Sequence, residues 1–125
     1  MSKTILSIII ATAIFIGGGI AEQLIVCKTF GSLKEELSTA YFRLEKSEAT
    51  VEEMEDLQEK WLNMKKKLHS FISHNDIKEF DLWISEALAY VKLGNYEDAR
   101  EKIEVAIELA EQVPNSYLIR PENIF

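Results

Sequence analysis

The sequence predicts an all-α protein in which an apolar N-terminal helix precedes an antiparallel bundle of about four helices. Three observations lead to this prediction. Residues 4–21 carry no charged side chain, and from Lys28 onward apolar residues recur at spacings of three and four, which places them on one face of a helix. No segment after Lys28 alternates apolar and polar residues in the manner of a strand. With 125 residues, the chain has room for one domain with a modest core.

The apolar N-terminal segment has the length of a membrane-spanning helix. Its 18 uncharged residues would extend about 27 Å as an α-helix, close to the hydrocarbon thickness of a bilayer. Residues 24–26 continue the apolar run, so the predicted transmembrane anchor covers residues 1–27. A cleaved signal peptide is the alternative, in which Gly19 and Ala21 are the small residues before the cut. The run is longer than the usual signal-peptide core, which favours a retained anchor.

The side of the membrane is predicted from the lengths of the two flanks rather than from their charge. Lys3 lies before the apolar segment and Lys28 and Lys34 lie after it, so the positive charges nearly balance. A very short N-terminal flank and a large C-terminal domain are typical of a single-pass protein of the cytoplasmic membrane with its C-terminal domain outside. If the segment is cleaved, the protein is instead secreted.

The first two bundle helices are predicted from capping boxes. Ser32 and Glu35 form one S-x-x-E pattern, which predicts a helix from Ser32 to about Ser47. Thr50 and Glu53 form a second box, which predicts the start of the next helix. The expected inward faces are the apolar lines that follow the boxes: Leu33, Leu37, Tyr41 and Leu44, and then Val51, Met54, Leu57, Trp61, Met64, Leu68 and Phe71.

The last two helices are predicted as a hairpin. Asn75 and Asp76 offer the start of the third helix. Gly94 suits the left-handed residue after its end, and Asn95 can cap the fourth helix, which Pro114 is expected to stop. The expected inward residues of the two helices are Ile77, Phe80, Ile84, Leu88 and Val91, and then Tyr96, Ala99, Ile103, Ala106, Ile107 and Ala110.

These elements divide the chain into an anchor over residues 1–27, an acidic helical bundle over residues 28–114 and a tail over residues 115–125. Short turns between the bundle helices make neighbours antiparallel. The formal net charge is -7, and all but two of the charged residues lie from Lys28 onward. A nucleic-acid partner is not expected, because such a protein needs a basic surface to neutralise phosphates.

Residues 87–109 resemble one tetratricopeptide hairpin. The residues that fall in the register of that repeat are Trp83, Ala87, Tyr90, Gly94, Ala99, Ile103 and Ala106. A repeat array normally needs three or more units to bury its faces, and the rest of the chain has no second copy at that period. We therefore expect a helical hairpin of similar packing and not a peptide-binding groove.

A second resemblance covers nearly the whole chain. It depends on the apolar N-terminal segment followed by Glu59-Lys60-Trp61, residues 65–68 (KKKL), residues 72–77 (ISHNDI) and the ending at residues 121–125 (PENIF). Together these resemble a family of short membrane-anchored proteins of spore-forming Gram-positive bacteria, known as a domain of unknown function (four-three-six-three). The resemblance implies a single-span protein with an extracytoplasmic helical domain and no assigned activity. It also implies a membrane-protein partner.

The residue patterns predict neither catalysis nor a bound cofactor or metal. His69 and His74 are five residues apart, so their side chains diverge by about 140° on one helix, whereas a metal pair needs a spacing of three or four. Cys27 has no nearby thiol or histidine. The carboxylates between Glu52 and Glu59 fit a solvated helix face better than a cation loop.

Two groups of residues are candidates for binding. Phe30, Tyr41 and Phe42 follow the anchor and are predicted to touch lipid headgroups or a membrane partner. Apolar residues of the tail are predicted to dock on a partner protein or, alternatively, to fold back over the bundle; they are Tyr117, Leu118, Ile119, Ile124 and Phe125.

The sequence therefore predicts a non-enzymatic, membrane-tethered helical module that binds a membrane or envelope protein on the extracytoplasmic face. The first alternative is a secreted helical protein that binds a small ligand. A hydrolase with dispersed acidic residues is the least favoured alternative, because the predicted inward faces contain no carboxylate.

Overall fold

The computed structural model describes residues 2–117 and shows four α-helices within them. They are α1 (Ser2–Glu45), α2 (Val51–Leu68), α3 (His74–Lys92) and α4 (Tyr96–Tyr117), and the described part of the chain contains no strand. The second half of α1 packs on α2 and α4, and α3 packs on the same two helices from the opposite corner. Short turns reverse the chain direction between neighbours. The predicted all-α fold with an antiparallel four-helix bundle is confirmed.

The first helix is continuous from the apolar segment into the bundle. The predicted separate helix start at Ser32 is therefore wrong: Ser32 is an exposed residue inside α1, which has 44 residues. A capping box acts only where the chain leaves the helical conformation, and packing holds α1 helical here. The buried line of α1 begins upstream of the predicted start, with Val26, Thr29, Phe30, Leu33, Leu37 and Leu44. The helix ends at Glu45, and Ser47 turns the chain with a φ of 57°.

The core of the bundle is centred on three large rings from three helices. The ring centroid of Phe80 on α3 lies 4.9 Å from that of Trp61 on α2 and 5.7 Å from that of Phe30 on α1. All three side chains are almost completely buried. Helix α4 contributes three buried alanines and a buried isoleucine to this core: Ala99, Ala106, Ala110 and Ile103. The predicted inward faces of the four bundle helices are confirmed.

The predicted turn between α3 and α4 is also confirmed. Gly94 has a φ of 75°, in the left-handed region that favours glycine, and Asn95 accepts the backbone N–H of Asp98 at 3.2 Å. At the start of α3, Ser73 is the N-cap and accepts the backbone N–H of Asp76. Helix α3 thus begins one residue before the predicted Asn75. The resemblance of this hairpin to a tetratricopeptide unit stays a prediction.

The last helix continues through Pro114 to Tyr117, so the predicted stop at Pro114 is wrong. Proline lacks the N–H that would donate to the carbonyl four residues earlier, which normally disrupts a helix interior. In the described part of the chain, three helical residues follow the proline. Buried Val113 holds the turn against the core. The Asn115 side chain also donates to the carbonyl of Glu111 at 2.9 Å, which supplies a hydrogen bond to this last turn.

Candidate functional site

The most exposed apolar surface among the described residues is the first half of α1. Its large side chains are between 43% and 84% exposed, and no other described element covers them. They are Ile5, Leu6, Ile8, Ile9, Ile10, Ile14, Phe15, Ile16, Ile20, Leu24 and Ile25. A helix that is apolar on all sides is normally buried in a large core or in a membrane. By length and composition, this helix can cross a membrane, and a signal sequence has the same properties.

The bundle begins directly where this apolar surface stops. Ile25 is 43% exposed, whereas Val26 is 3% exposed and belongs to the core. We call the end of the bundle next to Val26 the proximal end; it also contains the last turns of α2 and α4 and the start of α3. The opposite end, which contains the end of α1 and the start of α2, is the distal end. No linker separates the apolar segment from the proximal end.

Charge is divided unequally between the two ends. When the bundle is divided into two halves along its length, the proximal half (residues 22–34, 62–80 and 106–117) contains six lysines and five acidic residues. The distal half (residues 35–61 and 81–105) contains six basic and fifteen acidic residues. The acidic character of the whole chain therefore belongs to the half of the bundle farther from the apolar helix.

A cleft of about 290 Å³ separates α1 from α2 in the distal half, and ion pairs bridge it. Arg43 donates to both carboxylate oxygens of Glu53, from Nη2 at 2.6 Å and from Nε at 3.1 Å. This hydrogen bonding lowers the pKa of Glu53 and raises the pKa of Arg43. Lys60 lies between Glu36 at 3.1 Å and Asp56 at 3.2 Å, and these contacts raise the pKa of Lys60.

These paired charges hold two helices together. Each cation of the cleft has a carboxylate partner, and the lining residues include no histidine or cysteine. The ion pair between Arg43 and Glu53 also leaves the capping box predicted at Thr50 only half formed. The Thr50 hydroxyl accepts the backbone N–H of Glu53 at 3.1 Å, but the Glu53 carboxylate binds Arg43 instead of returning to the cap.

The histidines and the cysteine belong to different helices. His69 is the exposed C-cap of α2, His74 is the exposed first residue of α3, and Cys27 is a free, exposed thiol on α1. Across residues 2–117 no group of three or more His, Cys, Asp or Glu side chains is arranged to hold a metal ion.

The three aromatic residues predicted at the membrane interface lie in different environments. Phe30 is 2% exposed and packs on Phe80, so it is a core residue and its side chain is not available to lipid. Phe42 is 60% exposed, and Tyr41 contacts it edge to face. Phe42 lies 18 residues after Leu24, about 27 Å farther along α1. Contact with headgroups at that position would require α1 to lie along the lipid surface instead of crossing it.

Most of the predicted docking residues of the tail lie outside the described residues. Tyr117 is the last residue of α4, at the proximal end, and Leu118, Ile119, Ile124 and Phe125 follow it.

Sequence reasoning missed the lysines that the fold gathers at the proximal end. The sequence contains the run Lys65-Lys66-Lys67, but taken alone this run indicates only the basic last turn that a helix dipole favours. Only the antiparallel pairing of α1 with α2 brings Lys67 to the same shallow cavity as Lys28.

Comparison with known families gives a match over the part of the chain that includes the bundle helices. A family model described as "Domain of unknown function (DUF4363)" matches residues 24–124, which begin at the end of the apolar segment. Searches of curated proteins and of solved structures returned no significant match.

Proposed function

This chain belongs to the DUF4363 family, a domain of unknown function, and from that premise we propose a non-enzymatic, membrane-tethered module that binds another membrane or envelope protein. The observation that carries the proposal is the continuity of α1. One uninterrupted helix presents an apolar surface over its first half and enters the bundle core over its second half. A bundle attached in this way is held at the membrane surface without a flexible linker.

Tethering favours a binding role because it raises the local concentration of the module near membrane partners, so a weak interface suffices. The apolar composition of the tail supports a partner protein. Tyr117 lies at the proximal end, and the apolar residues Leu118, Ile119, Ile124 and Phe125 follow it within eight residues of the sequence. We expect these residues to contact the partner.

We propose that the bundle lies outside the cytoplasmic membrane, as the flank lengths predict. Thiol labelling in whole cells tests this side. In a Cys27→Ser background, a cysteine introduced by Glu101→Cys, at an exposed position of α4, should react with a membrane-impermeant maleimide before lysis. Reaction only after lysis would place the bundle inside the cell.

Photocrosslinking in native membranes tests the partner. A photoreactive amino acid at Ile119 or Ile124 should form an adduct with one integral membrane protein, identified by mass spectrometry. The matched control carries the same amino acid at Glu55, on the exposed distal face of α2. Identical adducts from the tail and from Glu55, or adducts with lipid alone, would contradict the proposed docking role.

The alternative is a secreted protein that results from cleavage near Ala21. A signal sequence passes the same length and composition test as a membrane helix. Cleavage there would leave the core residues from Val26 onward intact, so the bundle fold by itself does not separate the two functions. The mature N-terminus separates them.

A further inference from the structure

A shallow cavity opens between α1 and α2 at the proximal end of the bundle. Four of its lining residues come from α1 and two from α2; they are Ile25, Lys28, Thr29, Ser32, Met64 and Lys67. Its volume is about 230 Å³. The lining therefore combines two ammonium groups, two hydroxyl groups and two apolar side chains, and it contains no carboxylate.

The two cations of this cavity have no acidic partner in the part of the chain that the structure describes. Lys28 and Lys67 are exposed, and neither takes part in the ion pairs formed by Lys34, Arg43, Lys60, Lys65 and Lys102. The cations of the distal cleft differ in this respect, because Arg43 and Lys60 form ion pairs with Glu36, Glu53 and Asp56. The proximal cavity thus has net positive charge inside an acidic protein.

Because α1 is continuous, it fixes how far the cavity lies from the end of the apolar segment. Ile25 lines the cavity and is also the last large exposed apolar residue of the apolar segment. Lys28 is four residues beyond Leu24, which is about 6 Å along the helix axis. If the apolar segment crosses the bilayer, Lys28 lies just outside the hydrocarbon region, at the level of the lipid phosphates. Lys67 borders the same cavity, so it lies close to this level.

The chemistry of the lining matches a phosphate next to an apolar chain. Ammonium and hydroxyl groups donate charge-assisted hydrogen bonds to phosphate oxygens. Each lysine close to an anionic membrane surface also adds to the attraction between the protein and the lipids. The exposed side chain of Ile25 and the half-buried side chain of Met64 provide an apolar wall on which the glycerol and first acyl carbons can pack.

We propose that this cavity binds the phosphate headgroup of an anionic phospholipid and thereby fixes the rotation of the bundle on the membrane. This inference rests on the proposed membrane tether. Lys66, in the last turn of α2, is also exposed and adds positive charge to the proximal end.

Lipid selectivity of the full-length protein tests the site. The protein is purified in mild detergent, short-chain phosphatidylglycerol or phosphatidylcholine is added, and bound lipid is counted by native mass spectrometry. The parent should bind phosphatidylglycerol in preference. The double variant Lys28→Gln/Lys67→Gln should bind it at least about 10-fold more weakly, because it loses two charge-assisted hydrogen bonds to the phosphate, each of which contributes about tenfold or more. The charge-matched control is Lys46→Gln/Lys92→Gln, which changes two exposed distal lysines and should leave binding unaltered.

Three results would overturn the proposal: equal binding of the two lipids by the parent, unchanged binding by Lys28→Gln/Lys67→Gln, or displacement of the lipid by inorganic phosphate at equal concentration. The last result would indicate a free phosphate as the ligand. Carbonate extraction of cell membranes that contain the parent or the same double variant distinguishes failure of the lipid site from failure of the membrane tether. A variant that stays in the membrane but loses lipid preference supports the site, whereas release of the parent itself from the membrane refutes the tether.

Discussion

The guanidinium of Arg43, near the end of α1, binds both carboxylate oxygens of Glu53, in the first turn of α2, at 2.6 and 3.1 Å. Arg43 also contacts the Glu48 carboxylate at 3.2 Å and its carbonyl at 3.1 Å, so one side chain ties together the whole turn between the two helices. Both side chains of the Arg43–Glu53 pair are about 40% exposed, so water and salt weaken their attraction.

The Arg43–Glu53 pair should make stability depend on pH in the acidic range. The pKa of Glu53 is lower in the folded protein than the ordinary value of 4.5, chiefly because of the hydrogen bond from Arg43. The stabilisation is therefore present above the unfolded-state pKa and is lost as the pH falls through the lower folded-state pKa.

Thermal unfolding of the full-length protein in detergent, followed by circular dichroism between pH 7 and pH 3, measures this effect. Glu53→Gln should unfold at a slightly lower temperature than the parent at pH 7, and the difference should shrink at pH 3. Glu59→Gln, an exposed position on the same helix, is the control and should follow the parent throughout. Parallel curves for Glu53→Gln and the parent would refute the account of this pair.

The hydrogen bond between Trp61 and Asp81 should be worth more than an exposed ion pair. The indole Nε1 donates to Asp81 Oδ1 at 2.7 Å, and Lys65 reaches the other carboxylate oxygen at 2.9 Å. Asp81→Ala leaves the buried indole N–H without this acceptor, which should destabilise the protein by about 1–3 kcal/mol in chemical denaturation. Asp81→Asn keeps an oxygen acceptor and should lose clearly less. Equal losses for both variants would show that the charge on Asp81 matters and the hydrogen bond does not.

The ring cluster should dominate the stability of the bundle. Phe80 is 1% exposed and contacts the rings of both Phe30 and Trp61. Phe80→Ala removes these contacts and leaves a cavity, so we expect a loss of about 3–5 kcal/mol in the free energy of unfolding. Leu82→Ala, at a 48% exposed position of the same helix, should change it by less than about 0.5 kcal/mol. A small effect of Phe80→Ala would place the core elsewhere.

The continuity of α1 makes opposite predictions for two substitutions of Gly31. A Cβ added at Gly31 meets nothing within 4 Å, so Gly31→Ala should stabilise α1 by about 0.5–1 kcal/mol. Gly31→Pro should destabilise it by about 3 kcal/mol, because proline removes a helical hydrogen bond and clashes with the preceding turn. If a separate helix started at Ser32 instead, proline just before its cap would be tolerated. Denaturation of the two variants side by side therefore distinguishes a continuous α1 from a broken one.

Much of the fold could be predicted because its signals are local. The apolar line of α3 and the pair Gly94 and Asn95 each specify a helix face or a helix end within a few residues, and the structure agrees with all of them. The errors came where packing outweighed a local signal. The cap pattern at Ser32 is present in the sequence, but burial of Val26 and Phe30 keeps the chain helical through it.

The candidate site was less predictable because it depends on the distance between elements. Phe30 follows the apolar segment closely enough to suggest contact with lipid, and only the position of Phe80 across the bundle identifies it as core. The cavity with Lys28 and Lys67 joins residues that are far apart in sequence, so no motif marks it. Pairing of α1 with α2 creates it.

The central claim is that α1 remains in the mature protein and inserts in the membrane. The most direct test is carbonate extraction of membranes that contain the full-length protein, followed by the intact mass of the protein in each fraction. The account predicts that the protein stays in the membrane pellet with the mass of the uncleaved chain, and that Ile8→Arg/Ile14→Arg, which places charge in the apolar segment, releases it. A parent protein that is extracted into the carbonate supernatant, either uncleaved or starting at Glu22, would contradict the account.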